Sequence, residues 1–246
     1  MTDRKTQQTF AFALNATDHR VDPQELGRKL EFPKWFEIDR NDPSDSDLLK
    51  AAARGRLRPR VTLEQERENR RCLKEHAIKA FEDGNVSVFL SLAPNTYCLE
   101  LVVRNTLLLR RRGIFEETLL KAITATRSNN LRTPLTTLRK LILSADRSKL
   151  LAAGDPLPGS GPFTLYRGVA GRQRDRRVRG ISWTGMLEKA GWFAQRFGDL
   201  EDPAVYKAVV EANHVAAYVG DHRNEDEFII VLPRSVKVER ISANCT

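Results

Sequence analysis

A ten-residue stretch rich in glycine and proline divides this chain into two parts with different sequence patterns. Residues 154–163, GDPLPGSGPF, contain three glycines and three prolines, a composition that disfavours helix and strand and is typical of a linker. Before it, apolar residues recur mainly at helical spacing, whereas after it short β-rich runs dominate. We therefore predict an α+β protein in which a mainly helical domain, residues 1–155, precedes a second domain, residues 156–246, built on a small mixed β-sheet.

The first part carries start and stop signals for several helices. Thr62 followed by Gln65 is a capping-box pattern that predicts a helix start, and Gly84 predicts its end. Residues 86–113 predict one or two buried segments. Two further amphipathic helices are predicted over IFEETLLKAITATR and PLTTLRKLILSADRSKLLAAG, the second capped by Gly154.

The second part predicts strands around one helix. FTLYRGV and RGISWT are short β-rich runs, and EFIIVLP and SVKVERI predict the last two strands. EKAGWFAQRF predicts a helix whose AGWFA segment packs mostly into the core. Residues 204–220, AVYKAVVEANHVAAYVG, predict one strand that is bent or bulged near Glu211.

The composition narrows the class of protein. Net charge is +9 and 41% of the residues are hydrophobic, which is typical of a soluble globular protein whose positive potential attracts acidic or polyanionic partners. The three cysteines are scattered and the four histidines show no metal-ligand spacing, so we expect neither a disulfide scaffold nor a metal site. The N-terminus lacks an apolar signal-peptide core, and the run CLELVVRNTLLL is too short to span a bilayer. We expect a cytoplasmic protein with no membrane partner.

Two predicted strands of the second part carry polar side chains suited to binding a phosphorylated ligand. Arg167 projects from the first, where its guanidinium offers a rigidly based fork for a phosphate or carboxylate. Gly168 follows it and lets a flat ligand approach the backbone. In the next strand, Ser182 and Thr184 share a face, so that their hydroxyls can orient a carboxylate on a neighbouring strand.

Acidic residues stand directly before an apolar strand in HRNEDEFIIVLP, residues 222–233. Because alternate residues of a strand share a face, Glu225 and Glu227 are predicted neighbours. Two carboxylates that close together repel each other unless a function uses them. A solubilising acidic turn is the alternative interpretation, but Glu227 abuts five apolar residues and is therefore expected at the mouth of a buried strand.

An arginine in one strand, Ser-x-Thr in the next and Glu-x-Glu at a strand start, in this order, resemble the Arg–Ser–Glu class of mono-ADP-ribosyltransferases. The matching residues are Arg167, Ser182 with Thr184, and Glu225 with Glu227, and the resemblance covers roughly residues 163–241. The middle motif reads Ser-Trp-Thr instead of the commoner Ser-Thr-Ser. Only 15 residues separate Arg167 from Ser182, which leaves little room for the helix that many family members place there.

The resemblance implies an ADP-ribosyltransferase-like core with NAD as its substrate. Arg167 would hold the pyrophosphate, and the Gly168 backbone would pair with the nicotinamide carboxamide. Ser182 and Thr184 would orient Glu227. The Glu227 carboxylate would bind the 2′-OH of the nicotinamide ribose and stabilise the oxocarbenium-like charge as nicotinamide leaves.

The resemblance also implies an acceptor and a biological setting. In the family, a glutamate at the position of Glu225 goes with a protein arginine as acceptor, whereas a glutamine goes with other acceptors, including nucleobases. Glu225 would then orient or deprotonate the arginine. The implied protein is a bacterial or phage toxin, effector or modifier that acts inside a cell, with a neutralising antitoxin or a chaperone as a further partner.

An arginine-rich run between the two site strands leaves other functions open. Residues 171–180, GRQRDRRVRG, contain five arginines, which suit NAD phosphates, an acidic protein surface or a nucleic-acid backbone, unless the run is only a solvated basic loop. A nucleic-acid acceptor is therefore the alternative to a protein arginine. The other hypotheses are an NAD glycohydrolase, a basic nucleic-acid-binding protein without catalysis, and an inactive scaffold in which the Glu225–Glu227 run is only a turn.

Overall fold

Helices dominate the first part of the chain and a single sheet dominates the second. A computed structural model describes residues 29–37, 63–125, 133–171, 177–196, 200–220 and 226–241. Within these ranges the chain forms eight α-helices and a six-stranded antiparallel sheet. The predicted α+β class is confirmed.

Two helices end at glycines that are sequence stop signals. Gly84 and Gly113 both adopt left-handed backbone conformations, with φ of +71° and +75°, which a glycine accommodates without steric cost. Single 3-10 turns occur at Lys34–Phe36 and Ala212–His214. The α-helices are α1 Leu63–Glu82, α2 Val86–Ser91, α3 Asn95–Arg104, α4 Thr106–Arg112, α5 Phe115–Ala125, α6 Leu135–Ser144, α7 Arg147–Ala152 and α8 Leu187–Gln195.

The helical part is divided more finely than predicted. Residues 86–113 form three helices, α2 to α4, because Pro94 precedes α3 and Asn105 ends it. The last amphipathic helix is split into α6 and α7, since the Asp146 carboxylate accepts bonds from the Ser148 and Lys149 amides (2.9 and 3.1 Å) and starts a new helix there. The predicted cap Thr62 lies outside the described residues.

The prediction that Gly154 caps the last helix of the first part is wrong. The C-cap of α7 is Ala153, in right-handed helical geometry. Gly154 is needed for a different reason, because a Cβ at this position would lie 2.4 Å from the carbonyl oxygen of Tyr218. The glycine therefore permits a close approach between the end of the helical part and the sheet.

All five strand pairings are antiparallel, so the prediction of a mixed sheet is wrong. The strand order is β4-β5-β2-β1-β3-β6. β2 and β3 are both antiparallel to β1 and therefore run in the same direction. They do not pair with each other, because they lie on opposite sides of β1. α8 connects them across β1. The strands are β1 Phe163–Val169, β2 Ser182–Thr184, β3 Ala204–Val210, β4 Val215–Val219, β5 Glu227–Ile230 and β6 Val238–Ile241.

The prediction of one bent strand over residues 204–220 is also wrong. The run forms two strands, β3 and β4, which the 3-10 turn at Ala212–His214 separates. β1, β2 and β5 lie between them in the sheet. Four strand spacings span about 19 Å in a flat sheet, whereas the residues from Val210 to Val215 reach only about 17 Å. The sheet must therefore curve to bring β3 and β4 together.

The two faces of the curved sheet are covered differently. The concave face buries a cluster that includes Leu165, Trp183, Phe228 and both Val210 and Val215. On the other face, α8 packs over β1 and β3, burying Ala190, Ala194 and Val205 together. The helical part packs over β4 and β5 on that same face, in a cluster that includes Ala217 and Ile229, here called the helical cluster. No helix within the described ranges has the length and apolarity needed to cross a bilayer.

Candidate functional site

Ser182 and Glu227 meet on the face of the sheet that lies between α8 and the helical part. β2 pairs with β5 so that Thr184 stands opposite Glu227 and Ser182 opposite Ile229. Directly paired residues share a face, so Ser182, Thr184 and Glu227 all point the same way. The Ser182 hydroxyl donates a hydrogen bond to Glu227 Oε1 over 2.5 Å. This is a short, charge-assisted contact that fixes the orientation of the carboxylate.

Arg167 contacts the backbone of this pair from β1. The pairing of Tyr166 with Thr184 sets Arg167 on the concave face, opposite to the side chains of Ser182 and Glu227. Its Nε donates to the carbonyl oxygen of Arg177 over 3.0 Å, and its Nη1 donates to the carbonyl oxygen of Ser182. The guanidinium packs over Gly180, where a Cβ would lie 2.4 Å from Arg167 Cζ. Arg167 is therefore bonded to the backbone of Ser182, and its charge interacts with that of Glu227.

The charge of Arg167 responds to its surroundings. Burial lowers the pKa of Arg167 to about 10, the negative charge of Glu227 opposes this shift, and the positive charge of Arg177 adds to it. Because that pKa still lies well above neutrality, Arg167 is a cation at pH 7. The site therefore holds a positive and a negative group close to each other in a partly buried setting.

Thr184 and Gly168 have structural roles that their sequence context did not reveal. Thr184 is 4% exposed, and its hydroxyl accepts a hydrogen bond from the Met186 amide over 3.1 Å, just ahead of α8. A Cβ on Gly168 would lie 1.9 Å from the carbonyl oxygen of Ala190. The close approach that Gly168 permits on this face is therefore that of α8, and its predicted contact with nicotinamide stays a prediction.

The acidic run before β5 is described in part. Glu225 lies outside the described residues. Asp226 adopts a left-handed backbone conformation with φ of +49°, and its Oδ1 accepts a hydrogen bond from the Tyr218 hydroxyl over 2.5 Å. The sequence reasoning missed Tyr218, Asp226 and Gly185, which packs against the Asp226 side chain. The signal that was available is the glycine directly after Ser-Trp-Thr together with the aspartate between two glutamates.

The AGWFA segment is only half buried in the core. Ala190 and Ala194 are buried against the sheet, but Trp192 is 57% exposed, so the prediction that this segment packs mostly into the core is wrong for Trp192. The reason is helical spacing, since only one face of α8 meets β1. Arg196 lies 5.7 and 5.5 Å from the ring centres of Trp192 and Phe193, in cation–π geometry.

The described part of the arginine-rich run bonds to protein carbonyls. Arg179 donates to the carbonyl oxygens of Pro233 and Val236, and its own carbonyl accepts a bond from Arg139. These contacts tie the run to the β5–β6 connection and to α6. Arg177 is also described, and its carbonyl oxygen accepts the bond from Arg167. Arg172, Arg174 and Arg176 lie outside the described residues.

Two of the three cysteines, Cys72 and Cys98, lie within the residues that the structure describes. Cys72 and Cys98 are free thiols there, and burial raises the pKa of Cys98 to about 11, which makes it a poor nucleophile. No group of three or more histidine, cysteine, aspartate or glutamate side chains within the described ranges is arranged to hold a metal ion.

Comparison with protein families, with curated proteins and with solved structures finds no match to this chain.

Proposed function

We propose that this protein transfers ADP-ribose from NAD to a macromolecular acceptor and releases nicotinamide. The observation that carries the proposal is the Ser182–Glu227 hydrogen bond of 2.5 Å, on a strand whose Ser182 carbonyl is bonded to the Arg167 cation. A carboxylate held in a fixed orientation offers negative charge for a developing cation, and an anchored guanidinium whose charge interacts with it offers positive charge for a diphosphate.

In the proposed reaction, the bond between C1′ of the nicotinamide ribose and the ring nitrogen breaks, and its electron pair leaves with neutral nicotinamide. Glu227 accepts a hydrogen bond from the ribose 2′-OH and stabilises the oxocarbenium-like charge at C1′. Preorganised charge of this kind contributes on the order of 3 kcal/mol to transition-state stabilisation. Ser182 keeps Glu227 oriented, and Thr184 supports the start of α8 beside it.

Arg167 binds the NAD pyrophosphate in this proposal. Its two described hydrogen bonds use Nε and one N–H of Nη1, and a guanidinium carries further N–H donors on both terminal nitrogens. The bonds to the Ser182 and Arg177 carbonyls hold the guanidinium plane in place. A planar donor group held in this way loses little conformational freedom when a phosphate binds.

The acceptor attacks C1′ and loses its proton to Glu225. A protein arginine is favoured, because a glutamate two residues before the catalytic one accompanies arginine acceptors in the family that the motifs resemble. A nucleic-acid acceptor is the alternative, and water as acceptor would make the protein an NAD glycohydrolase. The proposed setting is an intracellular toxin, effector or phage-encoded modifier.

A second candidate function, nucleic-acid binding without catalysis, is favoured by one surface feature. Trp192 is exposed, and Arg196 stacks near both Trp192 and Phe193. Aromatic rings beside a cation are a platform on which single-stranded bases stack. In that case affinity for RNA or DNA falls steeply with salt and does not depend on Glu227.

The deciding experiment measures nicotinamide release from NAD by the purified protein and by Glu227→Gln. The glutamine keeps an oxygen that accepts the Ser182 hydrogen bond but removes the charge, so we expect release to fall about 100-fold or more with unchanged folding by circular dichroism. Glu188→Gln, on the exposed side of α8, is the control and should retain full activity. Labelled NAD with cell lysate or total RNA then identifies the acceptor class.

Two results would contradict the proposal. One is a folded wild-type protein that releases no nicotinamide with lysate, with RNA or alone. The other is release that Glu227→Gln leaves unchanged. Salt-dependent RNA binding in either case would support the non-catalytic function instead.

A further inference from the structure

We propose that Asp226 is a positioning residue that sets the direction of Glu227, acting through Tyr218 and Gly185. This inference rests on the proposed function for its catalytic consequence, whereas the contact itself is a property of the fold. We call the contact between the Asp226 side chain, the Tyr218 hydroxyl and Gly185 the Asp226 clamp.

The Asp226 clamp joins the two strands that flank β5. Asp226 directly precedes β5, which lies between β4 and β2. On the β4 side, the Tyr218 hydroxyl donates to Asp226 Oδ1 over 2.5 Å. On the β2 side, Asp226 Oδ2 lies over Gly185, where a Cβ would be only 2.2 Å from it. One carboxylate therefore reaches across the start of β5 and contacts both of its neighbours.

The backbone of Asp226 needs this support. Its φ of +49° is left-handed, a conformation that residues other than glycine rarely adopt. Aspartate tolerates it better than most residues, because its short side chain bonds locally. The carbonyl oxygen of Asp226 also accepts a hydrogen bond from the Gly185 amide over 3.3 Å. Side chain and backbone together hold a conformation that the chain would otherwise leave.

The conformation of Asp226 decides where the next residue points. Glu227 follows it directly and stands opposite Thr184, within reach of the Ser182 hydroxyl. If Asp226 relaxed to an extended conformation, the peptide between the two residues would turn and Glu227 would leave Ser182. The left-handed conformation of Asp226 therefore fixes the orientation of the Glu227 carboxylate, on which the proposed reaction depends.

Tyr218 is itself held independently of the hydrogen bond. Its ring packs against Phe228 with centres 4.7 Å apart, and a Cβ on Gly220 would lie 3.0 Å from its hydroxyl oxygen. Tyr218→Phe therefore removes the hydrogen bond to Asp226 and leaves the packing of the ring in place. This makes the clamp testable without loss of the fold.

The experiment compares four substitutions in the full-length protein. Tyr218→Phe and Asp226→Ala break the clamp, and Gly185→Ala pushes the carboxylate away; we expect each to lower kcat for nicotinamide release about 10-fold while KM for NAD stays within about twofold. Asp226→Asn keeps the oxygen that accepts the Tyr218 hydrogen bond, and asparagine tolerates the left-handed backbone. The kcat of this variant should therefore stay within about threefold of that of wild type.

Asp202→Ala is the matched control. Asp202 is also a left-handed aspartate, with φ of +54°, and its carboxylate is paired with Arg240 over 2.8 Å. It precedes β3 on the other side of β1, so its replacement should leave kcat unchanged. A fall in kcat for Asp202→Ala equal to that for Asp226→Ala would overturn the assignment, because it would mean that any loss of such a residue has this effect.

A second readout does not require activity. Hydrogen exchange of the amides at residues 227–230 should be faster in Tyr218→Phe than in wild type. In Asp226→Asn, exchange of the same amides should stay as slow as in wild type. If wild type releases no nicotinamide but exchange responds in this way, the proposed function fails and the clamp stands. Unchanged exchange at these residues in both Tyr218→Phe and Asp226→Ala would overturn the clamp, whatever the activity.

Discussion

Arg167 is a cation in a place that disfavours charge. Burial lowers its pKa. Its guanidinium nevertheless lies in this buried position, where it donates hydrogen bonds to the carbonyl oxygens of Arg177 and Ser182. Those carbonyls gain partners that a shorter or neutral side chain would not supply. Arg167 therefore stabilises the fold of the site as well as offering charge to a ligand.

Substitution of Arg167 separates these two roles. Arg167→Lys keeps the charge but has no planar fork to reach both carbonyls, and we expect it to lower the free energy of unfolding by about 1–2 kcal/mol. It should also raise KM for NAD. Urea denaturation and nicotinamide-release kinetics measure the two effects. Arg240→Lys, an exposed cation paired with Asp202, is the control and should change stability by less than about 0.5 kcal/mol. Equal effects of both substitutions would show that Arg167 has no special structural role.

Residue-scale prediction from the sequence worked where a simple rule applied. Ser182, Thr184 and Glu227 share a face because alternate residues of paired strands do so, and the structure brings Ser182 and Glu227 into contact. The contact between Asp226 and Tyr218 was beyond that rule. It depends on β4 lying beside β5, which no local pattern encodes, and on a left-handed backbone, for which the local sequence offers an aspartate as its signal.

At the scale of elements, α8 packs closely against β1 because Gly168 has no side chain. The carbonyl oxygen of Ala190 and the amide nitrogen of Ala194 would lie 1.9 and 2.6 Å from a Cβ at that position. Both are backbone atoms, so no side-chain rotation relieves the overlap. α8 begins three residues after Thr184, and the Thr184 hydroxyl accepts a bond from the Met186 amide ahead of it, so its position is tied to the site.

Gly168→Ala should therefore destabilise the protein, by about 3 kcal/mol, and lower nicotinamide release as α8 moves. Gly191→Ala is the matched control in the same helix, where a Cβ meets nothing within 4 Å. It should stabilise the protein by about 0.5–1 kcal/mol, because alanine favours a helix interior over glycine. Thermal denaturation of both variants checks the prediction, and a Gly168→Ala variant as stable as wild type would show that α8 does not lie this close to β1.

The sequence predicted elements well where each depends on a local pattern. β1, β2, β5 and β6 form within the runs that predict them, and α8 begins one residue before its predicted run. The break between β3 and β4 escaped prediction because the turn at Ala212–His214 contains neither glycine nor proline, and both halves of the run have strand-forming residues. Which half pairs with which strand is decided by the curvature of the whole sheet, and no local pattern encodes it.

At the scale of the molecule, the helical part and the sheet share a core. The helical cluster includes Ile181, Ala217 and Ile229 from the sheet together with residues of the helices. The linker is also bonded to β4, since the Asp155 amide donates to the Tyr218 carbonyl and the Gly220 amide donates to Asp155 Oδ2, each over 2.8 Å. The predicted boundary after residue 155 is therefore crossed by both apolar packing and hydrogen bonds.

A shared core predicts that the two parts unfold together. Calorimetry should show one endotherm whose calorimetric and van't Hoff enthalpies agree. Ile229→Ala removes a fully buried side chain on β5 and should destabilise the whole molecule by about 2–4 kcal/mol, shifting that endotherm without splitting it. Val209→Ala, at a site 53% exposed on β3, should cost less than about 1 kcal/mol. Two endotherms, of which Ile229→Ala moves only one, would instead show that residues 1–155 fold independently, and the site would then depend on the sheet part alone.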